Sequence, residues 1–277
     1  MIAAALLAFR EGLEAALIVG VVLGALRRLG RPEQARTVWL GTAAAVLVSL
    51  VAGLALHLLG FAFEGRAEEI FEGTAMLLAA SVLTWMIFWM ARQSRSVQAD
   101  LERDVRQASV SGSSWALFSL AFVAVLREGI ELALFLTAAA LATSTSATLW
   151  GGIAGLLAAV VAGGLVFATT RRLNVRTFFR VTSVLLIVFA AGLVAHGIHE
   201  FNEAGLVPSI VEHVWDLNPV LDENSTGGEL LKALFGYNGN PSLTEVVSYA
   251  GYWLVITLVL WRKREAPRQV PAYSGGE

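Results

Sequence analysis

The sequence contains no cysteine. Disulfides, thiolate metal sites and thiol-based catalysis are thereby excluded. Any metal this chain binds must be held by oxygen or imidazole nitrogen, and a carboxylate set is unsuited to a soft metal. Charge is scarce as well. Only 15% of the 277 residues are Asp, Glu, Lys or Arg, against about 25% in a soluble domain. The first residues lack a basic n-region, and Arg10, Glu11 and Glu14 interrupt the apolar stretch there, so no cleavable signal peptide is expected. No Walker-type phosphate loop occurs either, and with it goes the usual ATP site.

What is abundant is apolar. Hydrophobic residues make up 56% of the chain, the mean hydropathy is +0.67, and the apolar residues come in long uninterrupted runs, the sign of a bilayer. The length suits one compact helical bundle and leaves little for a second soluble domain. Seven membrane-spanning helices are expected, at roughly 3–27, 37–60, 68–91, 115–141, 148–170, 179–200 and 245–262. Each is long enough to cross a hydrocarbon core of about 30 Å at 1.5 Å per residue. The expected fold class is an all-α integral membrane protein, a single transmembrane domain over 1–277.

The distribution of charge sets an expected orientation. Arg27, Arg28, Arg31 and Arg36 lie between the first and second segments, and Arg92, Arg95, Arg103 and Arg106 between the third and fourth. Arg171, Arg172, Arg176 and Arg180 separate the fifth from the sixth, and Arg262, Lys263, Arg264 and Arg268 follow the seventh. The alternate loops hold only Arg66 and Lys232. The positive-inside rule then places the N-terminus outside and the C-terminus in the cytoplasm. Glu64, Glu68, Glu69, Glu72, Glu200, Glu203, Glu212, Asp216, Asp222, Glu223 and Glu229 fall on the outer side, together with His57, His196, His199 and His213. One sign of charge around a cleft concentrates counter-ions, so Glu69, Glu72, His196, His199, Glu200 and Asp216 are candidates for a cation-collecting vestibule. An ordinary solvated surface would read the same way.

Shorter signals have local meanings. Val97, Leu101 and Val105 recur every fourth residue in the polar stretch 92–113, predicting an amphipathic helix at the cytoplasmic face. Ser242 followed by Glu245 predicts a capping box that opens the seventh segment. The run 236–241 reads as a turn, and the tail after Arg264 as disordered.

Phe9-Arg10-Glu11-Gly12-Leu13-Glu14 in the first segment recurs as Leu126-Arg127-Glu128-Gly129-Ile130-Glu131 in the fourth. On the expected topology the two copies run in opposite directions at matched depth. That makes an inverted repeat of three helices against three, repeat one at 1–91 and repeat two at 115–200, joined by a cytoplasmic linker at 92–114. An outer loop with the seventh helix (201–262) and a cytoplasmic tail (263–277) follow. Inverted repeats are a common architecture of secondary transporters, with the substrate site at the midplane between the halves. Residues three or four apart share a helix face, so Glu11 projects with Glu14 and Glu128 with Glu131. Arg10 can pair with Glu14 and Arg127 with Glu131, which leaves one surplus carboxylate in each motif. Charge at a bilayer centre costs about 2.5–3.5 kcal/mol per residue or more, and a bound multivalent cation would neutralise the surplus.

Two other readings use the same residues. Buried Arg–Glu pairs could simply fix the packing of the two helices, or unpaired glutamates could relay protons. A di-iron enzyme would need a Glu-x-x-His motif on each of two helices, and Glu11 and Glu128 are each followed three residues on by glutamate. Ala4, Ala8, Gly12, Ala16, Gly20 and Gly24 form a stripe of small residues, the mark of a tight helix-packing face. Carboxylates alone leave iron, manganese, calcium and magnesium open.

The doubled R-E-G-[LI]-E motif in seven helices resembles the oxidase-dependent iron transporter family, the fungal high-affinity iron permeases and the bacterial EfeU-like permeases. The likeness continues in residues 196–205, in Val214-Trp215-Asp216 and in residues 228–237. It implies an iron permease of the plasma membrane and no enzyme, with iron, Fe3+ or Fe2+, as transported substrate and no organic cofactor. It further implies Glu11, Glu14, Glu128 and Glu131 as iron-binding residues and Arg10 and Arg127 as their motif partners. The chain lacks the large extracytoplasmic extension of some bacterial members, so a separate iron-binding or ferroxidase partner outside the membrane is implied. No nucleic-acid partner is expected, and self-association is left open.

Overall fold

The computed structural model describes residues 1–93, 97–110, 114–168, 175–223 and 225–265. Among them the chain forms long helices and no strand. They are α1 (Ile2–Arg28), α2 (Ala35–Ala62), α3 (Arg66–Gln93), α4 (Val97–Val110), α5 (Ser114–Ala142), α6 (Thr145–Ala168), α7 (Val175–Glu203), α8 (Thr226–Phe235) and α9 (Leu243–Glu265). Each of the seven expected segments is a helix, the largest offset in a boundary being four residues, 179 against Val175. The linker forms α4 as the periodicity predicts. Arg95, Arg171, Arg172 and Arg268, and the tail beyond residue 265, lie outside the described residues.

Among the described residues, five helical stretches are long and apolar enough to cross a membrane: Pro32–Gly60, Arg66–Met90, Thr145–Leu165, Val181–Glu203 and Leu243–Arg262. The two motif-bearing helices, α1 and α5, have the length at 27 and 29 residues but each carries the three charges of its motif. The outward faces of the apolar helices are greasy. Leu47, Leu50 and Leu54 on α2, Val160 and Val161 on α6 and Leu254 and Val255 on α9 are all exposed. Contiguous apolar surface on this scale belongs against lipid.

Interlocking small residues decide which helices pair. α1 packs on α6, α2 on α5, and α3 on α7. At the first contact Gly155 sits against the backbone of Ala5 and Phe9, where a side-chain carbon in its place would fall 2.9 Å from Ala8 Cβ, while Gly163 faces Ala16 and Gly12 faces Ala159. The stripe on α1 is therefore a packing face as far as Ala16, and its partner is a second stripe on α6; Gly24, at the end of the expected stripe, faces open space. At the second contact Gly41 lies on Phe118 and Ala121, and Gly129 lies on Ser49. At the third, Gly73 meets Gly197 and Phe201.

Two apolar clusters form along the antiparallel α1–α5 pair. One takes Ala3 and Leu7 of α1 and Phe135, Ala138, Ala139 and Ala142 of α5, joined by α3, α7 and Ile256 of α9. The other takes Val19, Val22, Ala25 and Leu26 of α1 and Leu117, Ala121 and Val125 of α5, joined by α2 and by Val105 and Ala108 of α4. The motif residues lie between them.

The stretch from Ala204 to Ser242, expected as an outer loop, contains α8. Ser225 caps it, accepting from Gly228 N at 3.1 Å, and Gly236 ends it in the left-handed region at φ 68°. Gly236 rests directly on Gly192 of α7. Gly192 precedes the end of α7 at Glu203 by eleven residues, roughly 16 Å along the helix axis, so this segment dips into the bundle. α9 then opens with the predicted capping box: Ser242 N donates to Glu245 Oε1 at 3.0 Å, and Glu245 N donates to Ser242 Oγ at 3.2 Å.

Candidate metal-transit site

The packing brings the two motifs face to face. Arg10, Glu11, Glu14, Glu128 and Glu131 are all buried. One carboxylate oxygen from each of Glu11, Glu128 and Glu131 lies within 4.8 Å of the others. These come from both motifs, so neither copy forms the cluster alone. The i,i+4 pairings occur as the spacing predicts. Arg10 Nε is 3.2 Å from Glu14 Oε1, and Arg127 Nε is 2.9 Å from Glu131 Oε1. Each arginine is farther from the remaining glutamate of its motif, 3.8 Å to Glu11 and 3.9 Å to Glu128.

Several oxygens are left without a hydrogen-bond donor. Both oxygens of Glu11, Oε1 of Glu14, Oε2 of Glu128 and Oε2 of Glu131 are buried and make no hydrogen bond, the neighbouring arginines contributing charge alone to Glu11 and Glu14. A buried polar group without a partner forfeits its hydration, and an ionised one forfeits more. Three converging carboxylates from two helices are hard oxygen donors of the kind that iron, manganese, calcium or magnesium accepts.

The vestibule candidates do not all gather. Glu69, Glu72, Glu200 and Glu203 share one electrostatic neighbourhood with His199 at the end of α7. His199 Nε2 is 3.3 Å from Glu203, and its Nδ1 is 3.1 Å from Glu245. His196 is instead buried, with Nδ1 on its own helix at Gly192 O, 3.1 Å away. Asp216 is exposed, and its Oδ1 accepts from Asn218 N at 3.0 Å. Sequence reasoning missed Glu245 as the partner of His199, because its capping role was the visible one. It also missed Trp89 and Met90, which contact the motif arginines from α3.

A family model described as the iron permease FTR1 family matches residues 1–262. The chain belongs to that family. The ferrous iron permease EfeU of Escherichia coli O157:H7 is 38% identical over 252 residues, which cover 89% of this chain and 90% of the relative. That of Yersinia pestis is 37% identical over 258 residues, 92% of this chain and 91% of the relative. No solved structure matches the chain. Family membership and apolar helices together make this a multi-pass membrane permease for iron rather than an enzyme, and the resemblance carried by the two motifs is borne out at the level of the family.

Proposed function

We propose that the chain takes iron into the cytoplasm across the plasma membrane, and that Glu11, Glu14, Glu128 and Glu131 carry the ion at the middle of the bilayer. The observation that carries this reading is the convergence of buried carboxylates from both motifs, one oxygen each of Glu11, Glu128 and Glu131 lying within 4.8 Å of the others, while every one of the four glutamates keeps an oxygen that makes no hydrogen bond. A packing role for the motifs accounts for the Arg10–Glu14 and Arg127–Glu131 pairs and leaves Glu11 and Glu128 with only looser contacts to the same arginines, at 3.8 and 3.9 Å.

In this reading seven helices span, with the N-terminus outside, and α1–α3 and α5–α7 are inverted copies. Exchanging α1 with α5, α2 with α6 and α3 with α7 turns the α1–α6 contact into the α2–α5 contact and returns α3–α7 to itself, as a two-fold axis in the membrane plane requires. Glu69, Glu72, Glu200 and His199 collect the ion at the outer end. It then displaces an arginine from its carboxylate, and the apolar clusters on either side of the glutamates open in turn. An inside-negative potential favours entry by about 2.3 kcal/mol per charge per 100 mV, so the field alone can drive uptake. An iron-binding or ferroxidase protein outside the membrane would supply the ion.

Purified protein in liposomes tests this, with Fe(II), Fe(III) and Mn(II) compared across an imposed potential and pH gradient. Glu11→Gln and Glu131→Gln are each expected to abolish iron uptake while reaching wild-type levels in the membrane. Wild-type uptake by both variants overturns the site. If neither variant accumulates, the glutamates serve packing.

A further inference from the structure

The two motifs share a pattern, but their arginines are held differently. Arg10 is fully buried. Its Nη2 lies 3.0 Å from Met90 Sδ, and its Nε lies beside Glu14. Arg127 has the same i,i+4 partner, Glu131, yet its side chain is 36% exposed. Its guanidinium carbon stands 4.6 Å over the ring of Trp89. Trp89 in turn stacks on Trp85, with centroids 6.1 Å apart. Consecutive residues of α3 thus meet the arginines of opposite motifs, a thioether against one and an indole face against the other.

A metal ion arriving at the glutamates must compete with whichever cation already neutralises them. Arg10 is closed off from the surface, and its contact opposite the carboxylate is a weak neutral acceptor. Arg127 has both room and an alternative partner, since an indole face attracts a guanidinium more strongly as the surroundings are desolvated. We propose that Arg127 is the displaceable counter-charge of the site, and that Trp89 is a positioning residue which holds it aside when the ion takes Glu131. Arg10 stays with Glu14 throughout. This rests on the reading that the motif glutamates bind the transported ion.

The mechanism ties Trp89 to apparent affinity. Without the indole, displaced Arg127 loses its second partner and competes harder for Glu131. In liposome uptake of Fe(II), Trp89→Leu is expected to raise the half-saturating concentration about ten-fold with little change in maximal rate, while Trp89→Tyr stays near wild type. In an Arg127→Gln background, Trp89→Leu is expected to change nothing further. A tryptophan fluorinated on the ring, placed at position 89, preserves shape and weakens the face. It is expected to raise half-saturation in the unmutated background even if Trp89→Leu fails to accumulate. An unchanged half-saturation with fluorotryptophan, or an equal shift with and without Arg127, overturns the proposal. Glu131→Gln is run beside these variants: wild-type uptake there sinks the glutamate site itself, whereas its loss combined with a silent Trp89 sinks only the role of Trp89.

Discussion

The two apolar clusters that flank the glutamates are built from different kinds of helix. The cluster around Leu7 and Phe135 draws all its buried members from α1, α3, α5, α7 and α9, each 23 residues or longer, and the short α8 only leans on it through the half-buried Leu234. The cluster around Leu26 and Leu117 includes α4, a helix of 14 residues. An isolated helix that short is marginal in water, so α4 depends on docking. Val105 and Ala108 supply the apolar contact. Three polar contacts hold the rest: Arg31 Nη1 donates to Ser109 O at 2.8 Å, Ser109 Oγ donates to Gln34 Oε1 at 2.9 Å, and Arg28 approaches Glu102 at 3.4 Å. One cluster is part of the interlocked bundle, and the other contains a separable piece. The side bearing α4 is therefore expected to open at lower cost.

The largest effect expected of this difference is on stability. Phe135 is fully buried in the first cluster, and truncating a buried phenylalanine costs about 3–5 kcal/mol. Phe135→Ala should lower the thermal unfolding midpoint of the detergent-solubilised protein far more than Val105→Ala, for which about 1–3 kcal/mol is expected. Equal losses would mean that α4 is as integral to the fold as the long helices.

The next effect is on access, and the absence of cysteine makes it measurable. A single Leu26→Cys or Leu7→Cys is the only thiol in the molecule. Removing the Ser109 hydroxyl contact with Ser109→Ala should release about 1 kcal/mol of docking. Labelling of Cys at position 26 by a membrane-impermeant thiol reagent should then quicken about five-fold. Labelling at position 7 should not change. If both positions respond alike, the two clusters are coupled and α4 is no separate gate.

The same contrast explains how much could be read without coordinates. Helix positions, the stripe Ala4, Ala8, Gly12 and Ala16, the amphipathic α4 and the Ser242–Glu245 box were all legible, since each is written within one helix or one turn at a fixed period. The choice of partner was not. The α6 stripe of Gly151, Gly155, Ala159 and Gly163 is equally visible in the sequence, yet nothing local says that it meets α1 rather than its neighbour α5. α8 was hidden because Gly227 and Gly228 dilute its short period and acidic residues surround it. At the site, the i,i+4 pairs followed from spacing. The unequal treatment of Arg10 and Arg127 did not, because it is set by Met90, 80 residues from Arg10, and by Trp89 beside Arg127, both on another helix.

The smallest effect concerns how α9 joins the first cluster. α9 reaches that cluster through Ile256, and Tyr252 OH lies 2.8 Å from Thr84 Oγ1 of α3. Its start is fixed by the reciprocal Ser242–Glu245 bonds, and Glu245 also holds His199 and accepts from Asn238 Nδ2 at 2.8 Å. Ser242→Ala removes the Oγ that caps Glu245 N, worth about 1 kcal/mol, together with its hydrogen bond to Asn202 Oδ1 at 2.8 Å. Glu245→Gln keeps an acceptor for Ser242 N but discards the charge beside His199. If capping alone matters, Ser242→Ala should lower the unfolding midpoint more than Glu245→Gln, and neither should alter iron uptake. A loss of uptake in Glu245→Gln at normal stability would show instead that the His199–Glu245 pair serves the entry path, and would tie α9 to transport as well as to the first cluster.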